Sequence, residues 1–189
     1  MHTPRRGRAL IVTAALLIAV AGAANAAPPE KFAKPGLITS IGQSSDIAVV
    51  KVLLNTKLKL GLEVDPKVEA ARLGDLETLI IVVGASTKGL GAAGIDFDKE
   101  KERARELVKT AHDRGIRILA MHTGGESRRG KTTDDLLSLV IPGADYVIVV
   151  ASGNPDGLFQ RLVERRGTEI AEVESLVAAG DAVRAVFQE

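Results

Sequence analysis

Residues 78–84 read TLIIVVG, an unbroken apolar run closed by glycine. A strand with one wet face alternates apolar and polar residues, and this one has no polar side to offer. It must lie in the interior of a sheet covered on both faces. That requirement points to a parallel sheet with helices packed above and below it.

The remaining segments supply those helices. GLITSIG reads as a first strand, and QSSDIAVVKVLLNTKLK follows with Ile47, Val50, Leu54 and Leu58 at helical spacing behind Ser44 or Ser45 as N-cap. GLEVD reads as a short second strand stopped by Pro66, and KVEAARLGD as a single helical turn. After the apolar run come a charged helix ending at Gly115, the strand IRILAMH, and a helix in which Thr132 and Asp135 have capping-box spacing. DYVIVVAS is the fifth strand, and Asn154 with Pro155 opens the next helix. TEIAEV suits a short extra strand, and a last helix closes the chain. Strand–helix alternation with right-handed crossovers predicts a single α/β domain: a three-layer doubly wound parallel sheet, flavodoxin-like or Rossmann-like.

The start of the chain reads differently. Residues 1–26 carry Arg5, Arg6 and Arg8, an apolar run to Ala24 and a small-residue exit, Ala24-Asn25-Ala26. This is the pattern of a signal peptide cleaved near Ala26, and it predicts a periplasmic or secreted protein. The apolar run is shorter than the ~20 residues of a membrane span, so an integral membrane protein is not expected. Residues 27–35 read as a tail, and residues 36–189 as the domain. With 25 Lys and Arg against 24 Asp and Glu, and three of the arginines in the leader, the domain carries no broad basic field. A nucleic-acid partner is therefore not expected. The chain has no cysteine, so neither disulfides nor thiolate metal sites hold it together.

Ligands of open parallel sheets bind at the carboxyl ends of the strands. Four such ends carry unusual loops. The first contains Thr39, Ser40, Gly42, Gln43 and Ser44. The second runs from Gly84 to Gly94 with Ser86, Lys88 and Gly89. The third is HTGGESRRGK, with His122, Gly124, Gly125, Arg128 and Arg129. The fourth includes Ser152 and Asp156. Glycine lets backbone N–H groups approach a ligand, helix N-termini favour negative charge, and arginine matches carboxylate or phosphate with two parallel bonds. Together these residues predict a site for a small anionic solute. Adjacent residues diverge, so one of Arg128 and Arg129 is expected to face the site and the other to pair with Glu126 or an acidic helix. A solute-binding role implies a membrane transporter or a sensor as partner.

LITSIGQSSD, VGASTKGLGAAGID, AMHTGGESRRGKTTDD and SGNPDGLF resemble a family of short exported bacterial proteins built on a domain of unknown function. The resemblance runs from about Gly36 onward. It implies an exported, soluble single domain and brings no activity with it.

Other chemistries fit less well. A flavodoxin-type FMN phosphate loop would use Thr39, Gly42 and Ser44, but Ile41 occupies a hydroxyl position and the later loops lack flavin-stacking aromatics. No cofactor is expected. GASTK is one residue from a nucleophile elbow, with Ser86 as nucleophile and His122 as base, but Lys88 stands where the motif needs glycine. That hydrolase and a protein-interaction module are the alternative readings. His122 has no companion ligands at metal-binding spacing, so no metal is expected. The charged helix reads as a solvated face with no function assigned.

Overall fold

The computed structural model describes residues 31–188. Residues 1–26, read above as a signal peptide cleaved near Ala26, lie outside the described residues. Six strands form one all-parallel sheet: β1 (Gly36–Ile41), β2 (Glu63–Val64), β3 (Thr78–Val83), β4 (Arg117–His122), β5 (Tyr146–Val150) and β6 (Glu169–Val173). Their order is β2-β1-β3-β4-β5-β6. The first five follow the flavodoxin-like 2-1-3-4-5 order, and β6, the short extra strand, extends the sheet beyond β5.

Among the described residues, six α-helices cover the sheet: α1 (Asp46–Lys51), α2 (Thr87–Ala93), α3 (Phe97–Arg114), α4 (Lys131–Val140), α5 (Leu158–Val163) and α6 (Leu176–Val186). Strand alternation divides the core in two. Leu79, Ile81 and Val83 face α3, α4 and α5 through Leu107, Leu136, Val140 and Phe159. Ile80 and Val82 face α1 and α6 through Val50, Leu54, Ala179 and Val183. All five of these β3 side chains are fully buried, which is why this run needs no polar residue.

Several local expectations change. α1 passes into a π-helical stretch, Val52–Lys57, instead of continuing as one regular helix. Ser45 sits at the N-cap position without a side-chain capping bond, while the Ser44 hydroxyl accepts weakly from the Asp46 N–H at 3.4 Å. The glycine-rich segment after β3, expected as loop, folds into α2 because Ser86 caps it, its hydroxyl accepting the Gly89 N–H at 3.0 Å. Thr132 and Asp135 form no capping box: the N-cap lies two residues earlier, at Gly130, so Thr132 is already inside the helix. Asn154 and Pro155 precede a turn, and α5 begins only after Gly157. The expected tail is docked near its end, where Phe32 is buried and its ring stacks on Phe187 at 6.2 Å.

Candidate functional site

The sheet brings the ends of β1, β3, β4 and β5 to one rim, and their loops pack on one another. At the point where strand order reverses, between β1 and β3, the usual ligand crevice is zipped shut. Gln43 and Ala85 form an antiparallel bridge, and Ser86 N–H donates to Gly42 O at 2.8 Å. Gly42 adopts φ +96°, and a Cβ there would lie 2.5 Å from Gly84 O; a Cβ on Gly89 would lie 1.9 Å from Gln43 O. These glycines allow loop-on-loop contact.

Beneath the crevice, α3 contributes a pair that the sequence reading missed. Glu100 is fully buried and Arg103 nearly so. Glu100 Oε1 accepts Gly42 N–H at 2.6 Å and the Gln43 side-chain amide at 3.1 Å, and Arg103 Nε donates to Oε2 at 2.9 Å. Arg103 also donates to Val68 O at 3.0 Å and to Ser40 O. Burial alone would raise the Glu100 carboxyl; Arg103 and the two amide donors outweigh it and hold its pKa below the usual carboxylate range. One signal was available: residues 100, 103, 104, 107 and 111 lie on one helical stripe, and its other members are Ala104, Leu107 and Ala111.

The two adjacent arginines have different surroundings. Arg129 is saturated. Nε and Nη2 grip Asp134 at 2.7 and 3.2 Å, Nη1 and Nη2 grip Asp156 at 3.1 Å each, and Nη1 also donates to Gly153 O at 2.6 Å. All five guanidinium hydrogens are thereby used. The pairing pulls the Asp156 carboxyl down to about 2. Arg128 is less committed. Nε reaches Asp46 at 3.3 Å and Nη2 reaches Ser45 at 3.1 Å, while Nη1 has no hydrogen-bond partner among the described residues.

The other expected residues scatter. Thr39 and Ser40 are fully buried within β1, and their hydroxyls have no hydrogen-bond partner. Ser44 is buried and donates to Asp46 at 3.0 Å. Lys88 and Ser152 are exposed on the surface. His122 is fully buried, with Nδ1 2.9 Å from Val83 O and Nε2 3.3 Å from Gly125 O. Both ring nitrogens therefore meet backbone carbonyls, and neither bonds Ser86, whose hydroxyl caps α2.

Open space remains one strand along from the switch point. A cleft of about 200 Å³ lies between the β3–α2 and β4–α4 connections, lined among others by Thr87, Ser127, Arg128, Lys131, Thr132 and Thr133. It sits at the N-terminal end of α4, which no side chain caps. Thr133 Oγ1 joins its two walls by accepting Ala85 N–H at 3.0 Å. A larger depression of about 560 Å³ lies at the opposite edge, before β3 and β4, with Asp75, Glu77 and Arg114 among its lining residues. Strand and helix geometry puts no helix N-terminus there. Among the described residues, no group of three or more His, Cys, Asp or Glu could hold a metal, and no helix is long and apolar enough to cross a membrane.

A family model described as Domain of unknown function (DUF6305) matches residues 33–187. No curated protein matches the chain.

Proposed function

The chain belongs to the DUF6305 family, and on the geometry of its strand rim we propose that it is a binding domain for a small anionic solute, held in the cleft between Thr87 and the start of α4. The observation that carries this reading is Arg128, which lines the cleft beside a helix N-terminus with no side-chain cap and whose Nη1 has no hydrogen-bond partner among the described residues. Unsatisfied N–H groups at a helix start, the aligned peptide dipoles and a guanidinium all favour negative charge. Ser127, Thr87 and Thr132 add hydroxyl groups to the lining. Asp46 already neutralises part of the Arg128 charge, so the expected affinity is modest.

The reading places the protein outside the cytoplasm, in the periplasm or secreted, after cleavage near Ala26. It gives the domain a transporter or sensor to serve. The leader pattern of residues 1–26 supports export, and sequencing the N-terminus of the secreted form tests it. The hydrolase alternative gains no support, because Ser86 and His122 are each engaged elsewhere. A thermal-shift screen of carboxylates and phosphates tests the binding function. A ligand of the folded state raises the melting temperature in proportion to the logarithm of its concentration above Kd. No shift with any member would overturn the proposal.

A further inference from the structure

His122 closes β4 with its ring fully buried between two backbone carbonyls. A neutral imidazole has one N–H and one lone pair, so it can donate to only one of them. The shorter contact, Nδ1 to Val83 O at 2.9 Å, takes the proton. The Nε2 lone pair then faces the lone pairs of Gly125 O at 3.3 Å. The position of this carbonyl depends on a glycine. Its backbone sits at φ 61°, ψ −155°, a region open essentially to glycine alone. On its other side, a Cβ would lie 2.5 Å from Ser152 Oγ. The same carbonyl accepts Arg128 N–H at 3.1 Å, closing the short turn Glu126–Arg128.

We propose that protonation of His122 is a latch: the second N–H draws Gly125 O onto Nε2 and resets the turn that carries Arg128. A carbonyl oxygen has two lone pairs and can accept from His122 and Arg128 together. The contact would close toward an ordinary N–H···O length of about 2.9 Å. The charged groups facing the ring are Asp46 at the start of α1, which favours the cation, and Arg129 on the loop, which disfavours it. From the β5–α5 connection and α5 the neighbours are uncharged, the Gly153 backbone and the Phe159 ring at 5.6 Å. Burial, the largest influence, holds the His122 pKa below its ordinary value, so the latch closes only on the acid side of the usual histidine range. The consequence for ligand affinity rests on the anion-binding reading, because Ser127 and Arg128 line the cleft; the latch itself does not.

The test is an NMR pH titration of the full chain, labelled with ¹⁵N and ¹³C, in bis-Tris chloride so that no oxyanion is present. The neutral His122 ring should report the Nδ1–H tautomer. The ring should titrate in one step while the chain stays folded, with the Gly125 carbonyl and Arg128 amide shifting at the same midpoint. In His122→Gln those shifts should be lost. If that variant does not fold, the wild-type titration decides alone. An Nε2–H tautomer, a ring that stays neutral until unfolding, or a titration that leaves Gly125 and Arg128 unmoved would each overturn the latch. Phosphate titration at fixed pH reads the cleft separately, so either idea can fail while the other stands.

Discussion

Arg129 meets Asp156 through two parallel N–H···O bonds of 3.1 Å each, and its remaining donors go to Asp134 and Gly153 O. One side chain thus ties the β4–α4 loop to the first turn of α4 and to the β5–α5 turn. Lysine has no planar fork and cannot make this set of bonds. Arg129→Lys and Arg129→Ala should each lower stability by about 1–3 kcal/mol, the loss of charge-assisted hydrogen bonds at a largely covered site. Urea denaturation of the two variants checks this, and an unchanged midpoint in both would contradict a structural clip.

Glu100 and Arg103 behave as a buried pair whose members satisfy each other and the backbone. Removing one partner leaves an uncompensated buried charge. Arg103→Met should therefore cost about 3–5 kcal/mol, whereas Glu100→Leu combined with Arg103→Met should recover a large part of that loss. A double-mutant cycle measured by chemical denaturation checks the coupling. Additive effects would show that the pair is not acting as a unit.

Two glycines of α2 should answer oppositely to alanine. At Gly89 the new Cβ meets Gln43 O at 1.9 Å, and at Gly91 it meets nothing within 4 Å. Gly89→Ala should destabilise by about 1–3 kcal/mol as α2 is forced off the β1 loop. Gly91→Ala should stabilise by about 0.5–1 kcal/mol, because glycine costs roughly that much inside a helix. Thermal melts of the two variants compare the signs directly.

The depressed His122 pKa has a defined effect on stability. The folded chain resists protonation at this ring, so below about pH 6.5 the unfolded state binds more protons than the native one. The contribution is fully present above that value and fades as pH falls below it. Urea midpoints at neutral pH and on the acid side should separate in the wild type, and His122→Gln should narrow the gap. An equal gap in both proteins would remove His122 from the account.

The sheet was legible because its determinants are local. Five buried residues in a row place β3, and Gly115, in the left-handed region at φ 71°, ends α3 where the pattern stops. α2 was hidden because Thr87–Ala93 contains two glycines, and only the Ser86 cap reveals it as a helix. The Glu100–Arg103 pair was hidden among surface-like charges, since local spacing alone does not show that the loop after β1 meets α3 at Glu100. For the adjacent arginines, the sequence offered that one would face the site and the other pair with Glu126 or an acidic helix, but no ion pair to Glu126 forms among the described residues and Arg129 is the one held by carboxylates on two sides. The partners are Asp134 and Asp156, and Asp156 is brought in from the loop after β5 by the fold itself.

Titration of the full chain with inorganic phosphate and with acetate, followed by ¹⁵N NMR in wild type and Arg128→Ala, tests the cleft most directly. Saturable shifts at Arg128, Lys131, Thr132 and Thr133 are expected with at least one of the two anions. Arg128→Ala should weaken that binding about ten- to hundredfold, since a hydrogen bond to a charged group contributes about 1.5–3 kcal/mol. Arg129 is saturated and would not contact the anion directly. No saturable shift with either anion, or equal affinity in wild type and Arg128→Ala, would contradict an anion site at the start of α4.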